Sequence, residues 1–130
     1  MVSINYILYN FNYMAYNRLY IKINNVVKEF TSNIELGQIE VKNNLFIIMN
    51  YDGDIRRTDV VNNLITPVWD KEYLFKLRYD DYINFKIYDH DAWSKNELLA
   101  ETNIRIPQTG IINIENDFLN LTVGFVKVFD

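Results

Sequence analysis

Asp89, His90 and Asp91 stand in a row, with Ser94 and Glu97 a few residues on. Four oxygen-bearing side chains thus crowd one short stretch. Ca²⁺ takes roughly 6–8 oxygen ligands at about 2.3–2.6 Å and tolerates irregular geometry. A solvated acidic loop between two strands would read the same way, and both readings stand on spacing alone. Other chemistries have less support. The chain has a single His and no Cys. Ser94 has no base at fixed spacing, so a Ser-His-Asp site is unsupported. Asp89 and Asp91 project from one loop tip rather than across a cleft, which disfavours paired acid–base work. No Gly-rich loop could cradle a phosphate. These observations point to a non-catalytic protein.

The elements around that loop are strands. Ile83, Phe85 and Ile87 alternate with Asn84, Lys86 and Tyr88, the period of a strand with one buried face. Leu19, Ile21 and Ile23 alternate in the same way, and Val26 and Val27 extend that run. Residues 44–50 form a short apolar run that reads as a buried strand. Asp52-Gly53 is a tight-turn signal and predicts a hairpin to residues 55–61. Thr66-Pro67 interrupts the pattern before a strand with Trp69, Lys71, Tyr73, Phe75 and Leu77 on one face. Further strands are expected at 98–106, from Ile111, and from Leu119 to the C-terminus. Residues 28–43 read as a long loop.

The whole is an all-β chain: an antiparallel two-sheet sandwich of about eight strands, with loops 28–43, 62–68 and 89–97 at one end. Trp69, Phe75, Phe85, Ile87, Ile21 and Ile23 are the expected core. Residues 1–17 are read as an extension before a sandwich domain spanning 18–130. They have neither the basic start nor the unbroken apolar core of a secretory signal, and they are too polar to span a bilayer.

With 130 residues, one domain with a real core is expected. Half of the residues are apolar, which excludes disorder as the default state. The net charge of −4 excludes a basic nucleic-acid binder. The absence of Cys rules out disulfides and thiolate metal sites and fits a reducing compartment.

The stretch Asp89-His90-Asp91-Ala92-Trp93-Ser94-Lys95-Asn96-Glu97 resembles the third calcium loop of the C2 domain family, the calcium- and phospholipid-binding sandwiches of protein kinase C and the synaptotagmins. Arg57-Thr58 is similar to the family's "RT" at a strand end. Asn63-Leu64-Ile65-Thr66-Pro67-Val68-Trp69-Asp70-Lys71-Glu72 is similar to its "TLNPxWNE" turn, and Tyr73-Leu74-Phe75 to its "F-x-F". The closing Gly124-Phe125-Val126-Lys127-Val128 resembles the family's "G-x-L-x-V" strand. Its place at the end of the chain implies the circularly permuted, type II topology.

The resemblance implies Ca²⁺ as the candidate cofactor, held by Asp89, Asp91, Ser94 and Glu97, with Asn44 in a place where the family carries Asp. An amide there coordinates but brings no charge, and the family's other first-loop Asp has no clear counterpart. A weak site, or none at micromolar calcium, is therefore implied. It also implies apolar loop tips that dip into a membrane, here Trp93, Leu36 and Ile34. A basic face of Lys22, Lys76, Arg78 and Lys86 is a candidate for anionic lipid, against the alternative of a solvated strand face. The implied partners are an anionic phospholipid membrane or, alternatively, a protein partner bound without calcium. The implied location is cytoplasmic and peripheral to a membrane.

Overall fold

The computed structural model describes residues 16–30, 44–61, 67–69, 71–90, 95–107 and 110–129, and the strand backbone of 31–34 and 39–42. Among these residues there are ten strands and no helix. They are β1 (Arg18–Val26), β2 (Thr31–Ile34), β3 (Ile39–Lys42), β4 (Leu45–Tyr51), β5 (Asp54–Arg57), β6 (Glu72–Lys76), β7 (Tyr82–Asp89), β8 (Glu97–Arg105), β9 (Ile111–Glu115) and β10 (Leu119–Val126). Eight of them form two four-stranded antiparallel sheets, ordered β6-β1-β10-β9 and β5-β4-β7-β8.

The expected loop 28–43 differs from the structure. It contains a two-stranded ribbon, β2 against β3, with Thr31 opposite Lys42 and Ile34 opposite Ile39. Thr31, Ile34, Ile39 and Val41 are strand formers, and only four residues separate the two runs.

Alternation places the core. Leu19, Ile21 and Ile23 of β1, Tyr73 and Phe75 of β6, Ile83, Phe85 and Ile87 of β7, and Leu119, Leu121, Val123 and Phe125 of β10 are buried in one cluster. The six residues expected in the core are all at most 5% exposed. Each such side chain contributes roughly 1.5–3 kcal/mol when fully buried. Lys71, placed by alternation beside Trp69, is instead exposed. Strand pairing begins only at Glu72, so the alternation does not reach back to it. Its ammonium lies 5.6 Å from the Tyr73 ring.

The turn between β4 and β5 is the one expected. Asp52 and Gly53 have φ of 50° and 86°, and two positive values in succession are what a type I′ hairpin needs. The Asn50 side-chain oxygen accepts the Gly53 N–H at 2.9 Å. β5 is shorter than expected and leaves the ladder at Thr58. There the Thr58 hydroxyl accepts the Ile47 N–H (2.8 Å) and donates to the Asp59 carbonyl (3.1 Å). The sequence places Tyr16 and Asn17 in the extension, but both pack on the sandwich. The Tyr16 ring stacks on Phe125, and Asn17 bonds to Val126 and Val128.

Candidate functional site at the loop end

The described flanks of the three long connections meet at one end of the sandwich. The Val26 N–H donates to the Pro67 carbonyl at 3.2 Å, which joins the end of β1 to the second connection. Leu45 and Val61 exchange two backbone hydrogen bonds of 3.0 and 2.8 Å. The His90 N–H donates to the Asn44 carbonyl at 2.7 Å.

Asp89 is the last residue of β7. Leu45 of β4 faces it on one side and Glu97 of β8 on the other. The structure therefore sets Asp89 and Glu97 face to face, with Asn44 at the neighbouring strand end opposite His90. Facing residues of an antiparallel pair have Cβ atoms roughly 4.5–5.5 Å apart, and like charges there are destabilising. Asp89 against Glu97 is such a pair, and a cation between them would relieve it. Asp91, Trp93, Ser94 and Leu36 lie outside the described residues, and Ile34 is placed only by its backbone at the end of β2. Among the described residues no group of three or more His, Cys, Asp or Glu side chains is gathered for a metal ion. The donors present are hard oxygens, the kind Ca²⁺ takes, but two carboxylates and an amide fall short of a full shell.

An aromatic stack lies under the first residues of this loop. Phe46 points to the outer face of its sheet yet is only 2% exposed. Tyr88 stacks on it at 5.2 Å between ring centroids, His90 meets it edge-on at 6.1 Å, and the Arg57 guanidinium lies 3.8 Å from its centroid. The stack fixes the backbone that leads into Asp89 and His90. The His90 Nδ1 is buried without a hydrogen-bond partner among the described residues.

The "RT" and Trp motifs have structural roles in the described residues. Thr58 is buried in the β4 ladder, Arg57 covers Phe46, and the Trp69 indole donates to the Asp59 carbonyl at 2.8 Å. Sequence reasoning missed Phe46. Its signal was three successive apolar residues, Leu45-Phe46-Ile47, where alternation allows two inward. It also missed Val68 and Leu98, exposed aliphatic side chains at this end (58% and 46% exposed). Their signal was an apolar residue directly after Pro67 and another at the mouth of the acidic loop.

The basic candidates do not form one face. Lys22 and Lys76 point outward from the β6-β1 sheet, and Arg78 follows β6. Lys86 sits on β7 of the other sheet, between Ile48 and Glu101. The strands the sequence treated as neighbours belong to different layers.

Two four-stranded antiparallel sheets, with the described flanks of three connections meeting at one end, define an eight-stranded β-sandwich class. The sequence matches the family model of the C2 domain over residues 20–121, and the chain belongs to the C2 domain family. The fold is commonly a membrane-binding module and generally a non-catalytic one.

Similar solved structures include human GIVD cytosolic phospholipase A2 (TM-score 0.69, 13% identity), where the match covers 87% of this chain and 17% of that one. The match to a single C2 domain of plant Extended Synaptotagmin 1 (TM-score 0.64, 13% identity) covers 88% of this chain and 97% of that one. The match to the calcium-bound pair of C2 domains of Extended-Synaptotagmin 2 (TM-score 0.63, 14% identity) covers 84% of this chain and 45% of that one. The chain thus spans about a sixth of the phospholipase it resembles, and at these identities the likeness shows the fold alone. A comparison with curated proteins finds no match. No helix among the described residues is long and apolar enough to cross a membrane.

Proposed function

We propose that this chain is a non-catalytic, peripheral phospholipid-binding module that docks on an anionic membrane through its loop end, with weak calcium dependence. The observation that carries this is the facing pair Asp89 and Glu97 beside the neutral Asn44. The pair concentrates negative charge where a cation could bridge protein and lipid phosphate. The amide at Asn44 leaves the site short of the charge that tunes calcium affinity. When bound, Ca²⁺ would supply that bridge. Asp89, Glu97 and Asn44, joined by Asp91 and Ser94 of the sequence motif, would hold it. Exposed Val68 and Leu98 supply apolar contact at the same end, to which the sequence adds Trp93, Leu36 and Ile34. A cytoplasmic, peripheral location follows from the same reading. The strand order, with β1 central and paired to β10, supports the permuted type II arrangement.

A second reading is favoured by Asn44 itself. With a charge missing from the ligand set, the fold could serve as a calcium-independent protein-interaction domain. Co-sedimentation with phosphatidylserine-containing liposomes, in millimolar Ca²⁺ and in EDTA, separates the two. Binding that rises with Ca²⁺ supports the membrane module. No sedimentation in either condition sinks it and leaves the interaction domain.

A further inference from the structure

The end of the sandwich opposite the loops carries its own arrangement of charge. Asn17 ties three segments together there. Its N–H donates to the Val126 carbonyl (3.1 Å), and its side chain exchanges two hydrogen bonds with the Val128 backbone (2.7 and 2.8 Å). Its carbonyl accepts the Leu77 N–H (3.4 Å). Around this knot stand Arg18, Lys76, Arg78 and Lys127, the last three exposed. Arg18 and Lys76 face each other directly across β1 and β6. Like charges at facing strand positions cost stability. The Arg18 guanidinium is engaged with the Asn17 carbonyl at 2.9 Å, and Lys76, Arg78 and Lys127 are the exposed cations of the corner. The Arg78 backbone is pinned on both sides by the buried Tyr51 hydroxyl, which donates to its carbonyl (2.8 Å) and accepts its N–H (2.9 Å). Exposed Tyr79 and Phe129 flank the cations, and the Lys127 ammonium lies 5.6 Å from the Phe129 ring. The acids next along the chain are Asp80 and Asp81, and the Asp80 carboxylate accepts the Tyr82 N–H at 3.0 Å.

We infer that this corner docks an acidic segment of a protein partner. The charge is complementary, and the guanidinium groups and aromatic rings suit carboxylates and adjoining apolar side chains. Position selects a polypeptide over lipid. β1 runs its full length from this corner to the loop end, and strands rise about 3.3 Å per residue. Its length of roughly 25–30 Å exceeds a Debye length of about 8 Å several-fold. A bilayer held at the loops therefore does not reach the corner. The choice of a polypeptide over lipid rests on the loop-end reading, whereas the cation cluster itself stands on the fold.

The test is fluorescence anisotropy with a fluorescein-labelled oligo-glutamate peptide, in EDTA, at increasing salt. Wild type should bind saturably, with affinity falling as salt rises. Lys76→Glu should weaken binding at least about tenfold. Its melting temperature should equal or exceed that of wild type, because the new carboxylate would face Arg18. Arg105→Glu makes the same charge change on the other sheet and should alter affinity less than about twofold. Three results would overturn the inference. One is no saturable binding by wild type, and another is equal weakening by both substitutions. The third is loss of phosphatidylserine-vesicle binding in Lys76→Glu with peptide binding intact, which would make the corner a lipid site. Failure of liposome binding by wild type removes only the third comparison and leaves the first two outcomes decisive.

Discussion

Gly124 is the position where the structure leaves least room. It lies in β10, opposite Ile111 of β9 and Tyr20 of β1. A Cβ added there would meet the Gly110 carbonyl oxygen at 2.5 Å, the Ile111 Cα at 2.6 Å and the Ile111 Cγ1 at 2.8 Å. Ordinary contact begins near 3.4 Å, so two backbones would have to part by roughly 1 Å. The Ile111 side chain can turn, but the Gly110 carbonyl and the Ile111 Cα are main chain. β9 is an edge strand, so the least costly response is to peel its first residue away. Overpacking of this kind costs about 1–3 kcal/mol, and the strained pair adds up to about 1 kcal/mol. Gly124→Ala should therefore destabilise by roughly 2–3 kcal/mol, or about 8–12 °C in melting temperature at this chain length.

Urea titration followed by tryptophan fluorescence should show a lower midpoint with an unchanged slope. Gly124→Val should be worse than Gly124→Ala. Gly53 makes the contrast: nothing lies within 4 Å of its Cβ position, but its φ is +86°. Gly53→Ala should cost about 1–2 kcal/mol from backbone conformation alone, and Gly53→Asn less. A Gly124→Ala protein within about 0.5 kcal/mol of wild type would refute the steric argument, since that is the ordinary range of a neutral surface change.

Asn44→Asp should raise calcium affinity at least about tenfold in isothermal titration, because it restores a charge beside Asp89 and Glu97. An unchanged affinity would remove the start of β4 from the site. The Tyr73 hydroxyl is buried without a partner among the described residues. Tyr73→Phe should therefore leave stability unchanged or raise it by up to about 1 kcal/mol at neutral pH. Burial, and then the charge of Asp59, push the Tyr73 phenol above its ordinary value of 10.0. Its contribution is fully present below pH 10 and is lost as pH rises through the raised value. Stability profiles above about pH 10 should therefore fall less steeply in Tyr73→Phe. They should not be flat, because burial and the hydrogen bond to Glu72 raise Tyr20 in the same direction.

The sandwich was legible because its strands alternate cleanly. Ile83, Phe85 and Ile87 face the core wherever the strand ends fall, and the type I′ turn needs the Asp-Gly pair it has. The ribbon β2-β3 was not legible, since its two four-residue runs carry too few alternations to stand out from a loop. Lys71 failed for a related reason: alternation was carried past the point where pairing stops. The basic face failed because a sequence orders strands along the chain and not across the layers. Lys76 and Lys86 lie on consecutive strands in the chain and in different sheets in space. In the site, the residue types at Asp89 and Glu97 were legible, but their facing register was not.

That register depends on one inserted residue. Ile87 faces Ala100, and unbroken pairing would then set Tyr88 against Leu99 and Asp89 against Leu98. Instead Leu99 is passed over, so Tyr88 faces Leu98 and Asp89 faces Glu97. The bulge turns a mixed acid–leucine pair into two facing carboxylates and leaves Leu98 exposed beside them. β1 does the same as it approaches this end. Asn24 is passed over between Ile23 and Asn25, which sets Val26 against Leu119, both fully buried. The freed Asn24 amide bonds to Asn120 (2.9 Å) and Thr122 (3.1 Å). Bulges bend a strand and re-aim its side chains, and both of these lie close to the loop end. Each costs ladder regularity, and at Leu99 the return is a like-charge pair that also costs stability. On the proposed reading, a cation at this end would offset that like-charge cost.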